Sequence, residues 1–241
     1  MMRWALAMAA TTLCVACEPV IISSAPPTPE LQVVDTPDEL RTQRQAERAF
    51  AEVVKVMEPL AERECRNRTR GMNCDFRILV DTRRGQPPNA FQTLDKEVEN
   101  QPVIVFNSAL IADARNVDEL AFVMGHEAAH HIQGHIQRQR LNAQVGAELF
   151  SEIAATLSGG NSEAVEIGGR IGQSVGARSF SKEFELEADE LGTILTARAG
   201  YDPVVGVQFF NRIPDPGNRF LGTHPPNAQR IALVRRTAAG L

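Results

Sequence analysis

"GHEAAHHIQGH" (residues 125–135) holds four of the five histidines in a chain of 241 residues. His126 and His130 are four apart. On a helix that spacing stacks two side chains one turn apart on one face, so both imidazoles can reach one ion. Glu127 projects roughly 100° around the helix from His126. It can touch a water on such an ion without binding the ion itself. This is the H-E-x-x-H arrangement of two metal ligands and one general base. The alternative is a helix that merely carries surface histidines, so a third ligand elsewhere in the chain has to decide between them.

The flanks support a helix at this place. "NVDELAFVMGHEAAHHIQGHIQRQR" reads as one helix, started by Asn116 or Asp118. Ahead of it, "FRILVD" (76–81) and "PVIVFN" (102–107) read as strands, and "RRGQPPNAFQTL" turns between them into a further one. "PVIVFN" is expected to offer an exposed edge beside the site, where an extended peptide adds by β-augmentation; an internal strand with both edges paired is the alternative. Upstream, "DELRTQRQAERAFAEVVKVMEPLAERE" is a helix with Phe50, Val53, Val54, Met57 and Leu60 on one face, ended or kinked by Pro59. Downstream come the helix "KEFELEADELGTILTARAG" with Gly200 as its C-cap, the short helix "YDPVVGVQFFNRI", and a loop and last helix in "THPPNAQRIALVRR".

Two segments could supply the third ligand. The elongated metzincin pattern needs a glycine three residues after His130 and a histidine six after, but Gln133 and Ile136 stand there. His131 and His135 are therefore read as solvated or as supporting the ligands from behind. In "EFELEAD", Glu185 and Asp189 are four apart. Glu185 can ligate while Asp189 orients a ligand imidazole through its other nitrogen. Glu183 and Glu187 compete for the ligand role, and a solvated acidic face is the plain alternative.

Between the two motifs, residues 141–181 are helical in pattern but dotted with glycines, including Gly159, Gly160, Gly168, Gly169, Gly172 and Gly176. Glycine inside a helix costs roughly 1 kcal/mol against alanine. The segment is expected to be either a cover over the cleft, hinged near "SGGN", or a rigid helical hairpin in the core.

Composition bounds the class. A net charge of -5 gives no reason to expect nucleic acid as partner, and 43% apolar with 5% aromatic residues suits a globular domain. The leader "MMRWALAMAATTLCVAC" has Arg3, then an apolar run shorter than the about 20 residues of a membrane span. Residues 1–16 read as a lipoprotein-type signal with Cys17 as the lipidated residue; an ordinary signal peptide is the alternative. Glu18, not aspartate, follows Cys17, which points to the outer membrane. Residues 17–38 are a proline-rich tether and 39–241 the domain. Cys65 and Cys74 bracket a short polar loop and, in an exported chain, read as a disulfide.

Taken in order, "VDELAFVMGHEAAH", "SFSKEFELEADELG", "AGYDP" and "THPPNAQRI" resemble the gluzincin peptidases that include HtpX and the CAAX prenyl proteases. They are most similar to the peptidase domain of the exported BepA-like branch. Ser181-Lys182 departs from the S-R that this family often carries. The resemblance implies an α+β, mainly helical, zincin-like metallopeptidase domain with a small sheet beside the active-site helix. It implies one Zn2+ per chain on His126, His130 and Glu185, with Asp189 behind them and Glu127 as general base. His224 would donate to the oxyanion or cap the zinc at rest. Arg230 would be structural or face the cleft. The implied function is a zinc endopeptidase acting on unfolded or misassembled envelope proteins, lipid-anchored in the periplasm at the outer membrane. The alternative function is a latent peptide-binding chaperone or assembly factor.

Overall fold

Thr42 opens the first helix, its hydroxyl accepting from the Gln45 N–H, and α1 runs over Gln43–Arg68. In the computed structural model, residues 42–217 and 222–241 are described. The expected signal, Cys17 and the tether fall outside the described residues. Ala46, Phe50, Val53, Met57 and Leu60 recur at three- and four-residue steps and are buried together. Pro59 neither ends nor interrupts α1. It lies on the exposed side, where a carbonyl deprived of its N–H partner can turn to water.

Three strands follow: β1 (Arg77–Asp81), β2 (Ala90–Asp95) and β3 (Gln101–Asn107). Their order is β1-β3-β2, with β3 parallel to β1 and antiparallel to β2. "PVIVFN" is therefore the central strand, paired on both sides, and not an exposed edge. Its composition explains this, because Val103, Ile104 and Phe106 are all buried and a strand covered on both faces is apolar throughout. The edge strand is β2, which alternates between exposed and half-buried positions.

After α2 (Ser108–Asp113), Asn116 caps α3 (Val117–Ile132) through its side-chain oxygen on the Glu119 N–H. Leu120, Ala121, Phe122, Met124, Ala128 and Ala129 of α3 are all buried, so this helix is the axis of the core. Its N-terminal end is held by Glu119, buried and paired with Arg212 from beyond the later helices.

The single helix expected through residue 140 is instead two. Gly134 takes the left-handed conformation (φ 66°), and α4 (His135–Ser158) starts afresh at His135. Then α5 (Ser162–Ser179) returns antiparallel along α4. Gly159 and Gly160, both at positive φ, make the turn between them. The glycines are explained by the closeness of the crossing: a Cβ on Gly172 would lie 2.0 Å from the Gly146 carbonyl oxygen, and one on Gly176 would lie 2.1 Å from that of Asn142. The segment is thus a helical hairpin, but it packs on itself, with Leu141, Val145, Leu149 and Ile153 exposed. Of residues 141–181, only Ser181, at the start of the next helix, lines the cleft described below, so the hairpin does not cover it.

The remaining helices are α6 (Ser181–Arg198), α7 (Pro203–Gly206), a single 3-10 turn over Val207–Asn211, and α8 (Asn227–Ala238). Gly200, at φ 87°, stops α6 as expected. Among the described residues no helix is long and apolar enough to cross a membrane.

Cys65 at the end of α1 is joined to Cys74, with Cα atoms 5.7 Å apart, so the expected disulfide is present. A bridge closing so short a loop should contribute about 2–3 kcal/mol. The Cys65→Ala/Cys74→Ala protein should melt several degrees lower than the parent, and reductant should lower the parent's melting temperature but not the variant's. Equal melting of both oxidised proteins would show that the bridge does not stabilise the fold.

Candidate metal centre

Three elements bring the site together. α3 supplies His126, Glu127 and His130, α6 supplies Glu185 and Asp189, and α8 supplies Arg230. The approach of α3 to α6 is set by two glycines. A Cβ on Gly192 would stand 2.9 Å from the His126 nitrogen, and one on Gly125 would stand 2.9 Å from the Gly192 carbonyl oxygen.

His126 Nε2 and His130 Nε2 are 3.0 Å apart, and Glu185 brings its oxygens to 3.6 Å from the first and 3.4 Å from the second. Four ligands around zinc at 2.0–2.1 Å stand about 3.3 Å from one another. The spacing and the donor set of two imidazole nitrogens and one carboxylate oxygen therefore fit a divalent cation such as zinc. Glu183, by contrast, is exposed. Glu187 is engaged elsewhere, with Arg138 and His135.

The charges around the cluster favour the same conclusion. Asp189 is buried and Glu185 partly so, and Arg230 is the cation packed between them, with Nη2 3.4 Å from Glu185. Burial opposes charge on the His126 imidazole, yet the Asp189 and Glu185 carboxylates override it and push its pKa up to about 10. Burial likewise works against ionised Glu185, but the three imidazoles of His126, His130 and His224 hold its carboxyl well below the usual carboxylate range. Carboxylates facing the imidazoles from two sides give the pocket the electron pairs and negative field that a metal cation would use.

Support from behind is direct for His126. Its Nδ1 lies 3.0 Å from Asp189 Oδ1, so the ring donates there and keeps Nε2 for the cluster. Arg230 grips Asp189 at two points, each 2.7 Å, and lies 3.8 Å over the Phe210 ring. Arg230 thus acts as a clamp on Asp189. His224 places Nδ1 3.1 Å from Glu185 and is half exposed, so it reaches the cluster from the solvent side.

The two other histidines differ. His131 is buried and bonded to the Asn73 carbonyl oxygen at 2.7 Å, which ties α3 to the disulfide loop. His135 is also buried, not solvated, and its Nδ1 sits 2.8 Å from His130 Nδ1. Burial first, and the neighbouring His130 second, push its pKa down to about 4.

A cleft runs across the cluster. On one side is a cavity of about 460 Å3 walled by Val123, Phe209, Phe210, Ile213 and Pro214. On the other is one of about 210 Å3 bordered by Phe91, Gln92, His130 and Gln139. Glu127 lines both, and β2 contributes Ala90 and Phe91 along the rim. Among the described residues no strand pairs with the outer edge of β2. The sequence reading missed this edge, the two phenylalanines and the His135–Glu187 contact. The alternation in "AFQTLD" was the available signal for the edge.

The model of Peptidase family M48 matches residues 47–238, well over half of the chain. The chain is similar to the Beta-barrel assembly-enhancing protease of Escherichia coli O157:H7, with 34% identity over 148 residues, 56% of this chain and 30% of the relative. It is 31% identical over 147 residues to the protein of the same name in Escherichia coli strain K12, covering 56% of this chain and 30% of that one. It is also 29% identical over 140 residues to the Mitochondrial metalloendopeptidase OMA1 of Arabidopsis thaliana, 55% of this chain and 27% of that protein. The matched stretch therefore spans under a third of the length of each of these relatives.

Gly192→Ala should force α6 away from α3, at a cost of about 1–3 kcal/mol, and should loosen metal binding at the same time. Thermal unfolding together with zinc competition against a chromophoric chelator checks this. Unchanged melting and affinity would show that the two helices do not need this approach.

Proposed function

The chain belongs to peptidase family M48, and from that footing we propose that it is a zinc-dependent endopeptidase of the cell envelope. The observation that carries the proposal is the convergence of His126, His130 and Glu185 at 3.0–3.6 Å, with Glu127 beside them in a cleft rimmed by an unpaired strand edge. His126, His130 and Glu185 would hold the ion. A bound zinc would polarise the scissile carbonyl and make a water easier to deprotonate.

This chain's own residues do the rest. Glu127, at the junction of the two halves of the cleft, takes the proton of the attacking water and delivers it to the leaving amine. His224 rests on Glu185 and donates to the developing oxyanion once substrate enters. Asp189, gripped by Arg230, keeps His126 in the tautomer that points Nε2 inward. An extended substrate adds to the outer edge of β2, where main-chain hydrogen bonds give affinity with loose side-chain selectivity. Such a mode suits unfolded or misassembled chains, because they offer extended segments that folding would otherwise pair or bury. The name of the Escherichia coli relatives supports envelope proteins as the substrate class.

The disulfide favours an oxidising compartment. We place the protein in the periplasm, held to the outer membrane through a lipid on Cys17. The contact of His224 with Glu185 also favours a second reading, in which the enzyme is latent at rest and acts mainly as a peptide-binding assembly factor.

Denatured casein should be cleaved by the zinc-loaded protein, cleavage should stop on chelation and return with added zinc. No cleavage by a protein shown to carry one zinc would favour the assembly factor. Glu127→Gln should keep the metal and lose roughly 10²–10⁴-fold in rate. Metal loss in that variant would make Glu127 a ligand. Glu185→Gln should lose metal and activity together, while Glu183→Gln, at an exposed position on the same helix, should change neither. The opposite pattern would move the third ligand to Glu183.

A further inference from the structure

A ligand imidazole has two nitrogens, and the one turned away from the metal needs a fixed partner. For His126 that partner is Asp189. For His130 it is another histidine, His135, with the two Nδ1 atoms 2.8 Å apart. Two ring nitrogens at that distance share one hydrogen, so one donates and the other accepts. His130 directs Nε2 into the cluster, towards His126 and Glu185. Its hydrogen is therefore on Nδ1, and His135 accepts it. His135 then carries its own hydrogen on Nε2, which stands 3.2 Å from Glu187 Oε2. The tautomers of both rings follow from this one chain of donors and acceptors.

The far end of the chain is built as firmly. Arg138 binds both oxygens of Glu187, with Nη2 3.1 Å from Oε1. Its guanidinium lies 4.3 Å above the Phe184 ring. Phe184 in turn stacks on His135, with centroids 4.7 Å apart and planes 11° from parallel. His135 is 4% exposed. The left-handed turn at Gly134 makes this possible. On an unbroken helix, a residue five places from His130 would point about 140° away from it.

We infer that His135 and Glu187 are positioning residues, a hydrogen-bond relay from a carboxylate through a neutral imidazole that fixes the tautomer and aim of His130 as a metal ligand. The inference rests on the metal reading of the cluster. The relay reaches the metal only through His130. Its effect is on the hold of the ion, in the way that Asp189 acts through His126. The competing explanation is packing, with His135 serving only as a flat ring under Phe184.

Two substitutions separate these explanations. His135→Phe keeps a ring to stack on Phe184 and removes the acceptor. His135→Asn loses the ring and places an amide oxygen close to where Nδ1 stood. Zinc affinity is measured by competition with a chromophoric chelator, and the cobalt-substituted proteins give a visible spectrum that reports ligand geometry. His135→Phe should bind zinc about 10–100-fold more weakly and shift the cobalt bands, and His135→Asn should recover most of both. Thermal unfolding of the metal-free proteins shows that each is folded. Glu187→Gln, which disturbs only the partly exposed end, should weaken zinc several-fold and gives an answer even where the core variants fail to fold. Tight zinc binding and unchanged cobalt bands in folded His135→Phe or in Glu187→Gln would overturn the relay. So would a folded His135→Asn no better than His135→Phe. A parent protein that binds neither zinc nor cobalt stoichiometrically would instead remove the metal site, and the relay with it.

Discussion

The site depends on how closely α3 and α6 approach one another. Glu185 has a short side chain, and it must reach a point already between His126 and His130. Side chains larger than glycine at positions 125 and 192 would hold the helices apart, because a Cβ at either place meets backbone atoms of the other helix at 2.9 Å. Packed helices ordinarily stand 8–10 Å apart, depending on the residues at the contact. Two facing glycines leave the backbones of this pair free to approach closely. The geometry of the His126–His130–Glu185 cluster therefore depends on two neighbouring residues that carry no side chain.

This contact also explains what was legible in the sequence. His126, Glu127 and His130 could be read directly, since helical spacing alone puts both imidazoles on one face. The third ligand could not be read from spacing, because Glu183 and Glu187 are also four apart. Only the family resemblance selected Glu185. A physical signal was nevertheless present. Glu185, Asp189 and Gly192 stand at i, i+4 and i+7, the stripe along which α6 meets α3, while Glu183 is exposed. Choosing that stripe required knowing that Gly192 was a packing glycine, which only the neighbour helix reveals.

The other differences between sequence and structure come from long-range pairing. The strand before the histidine helix looked like the one beside the site because it was nearest in sequence. Its run of buried apolar residues belongs instead to the middle of a sheet, and the less apolar β2, further back in the chain, became the rim. The break at Gly134 was equally hidden. A single glycine in a polar helix gives no sign of whether it is tolerated or used, and here it is used to turn His135 back towards His130. The glycines of residues 141–181 did signal a close crossing, but spacing could not show that the crossing is internal to a hairpin and not a cover over the cleft.

The two imidazoles of the cluster are held by unlike means, and the difference follows from where the chain can put charge. Asp189 is fully buried, so its negative charge is bearable only with Arg230 clamped on it, and Arg230 is in turn covered by Phe210. On the His130 side the carboxylate stays at the margin, where Glu187 and Arg138 are partly exposed and cost little to desolvate. A neutral ring then carries the hydrogen bond inward from that margin to the ligand. One ligand is thus supported by a buried ion pair and the other by a surface pair acting through His135. The second arrangement joins the base of the α4–α5 hairpin to His130, since Arg138 and His135 open α4 and Phe184 and Glu187 lie in the first turns of α6. Most of the hairpin lies away from the cleft, and its first turn, which carries His135 and Gln139, couples it to the cluster.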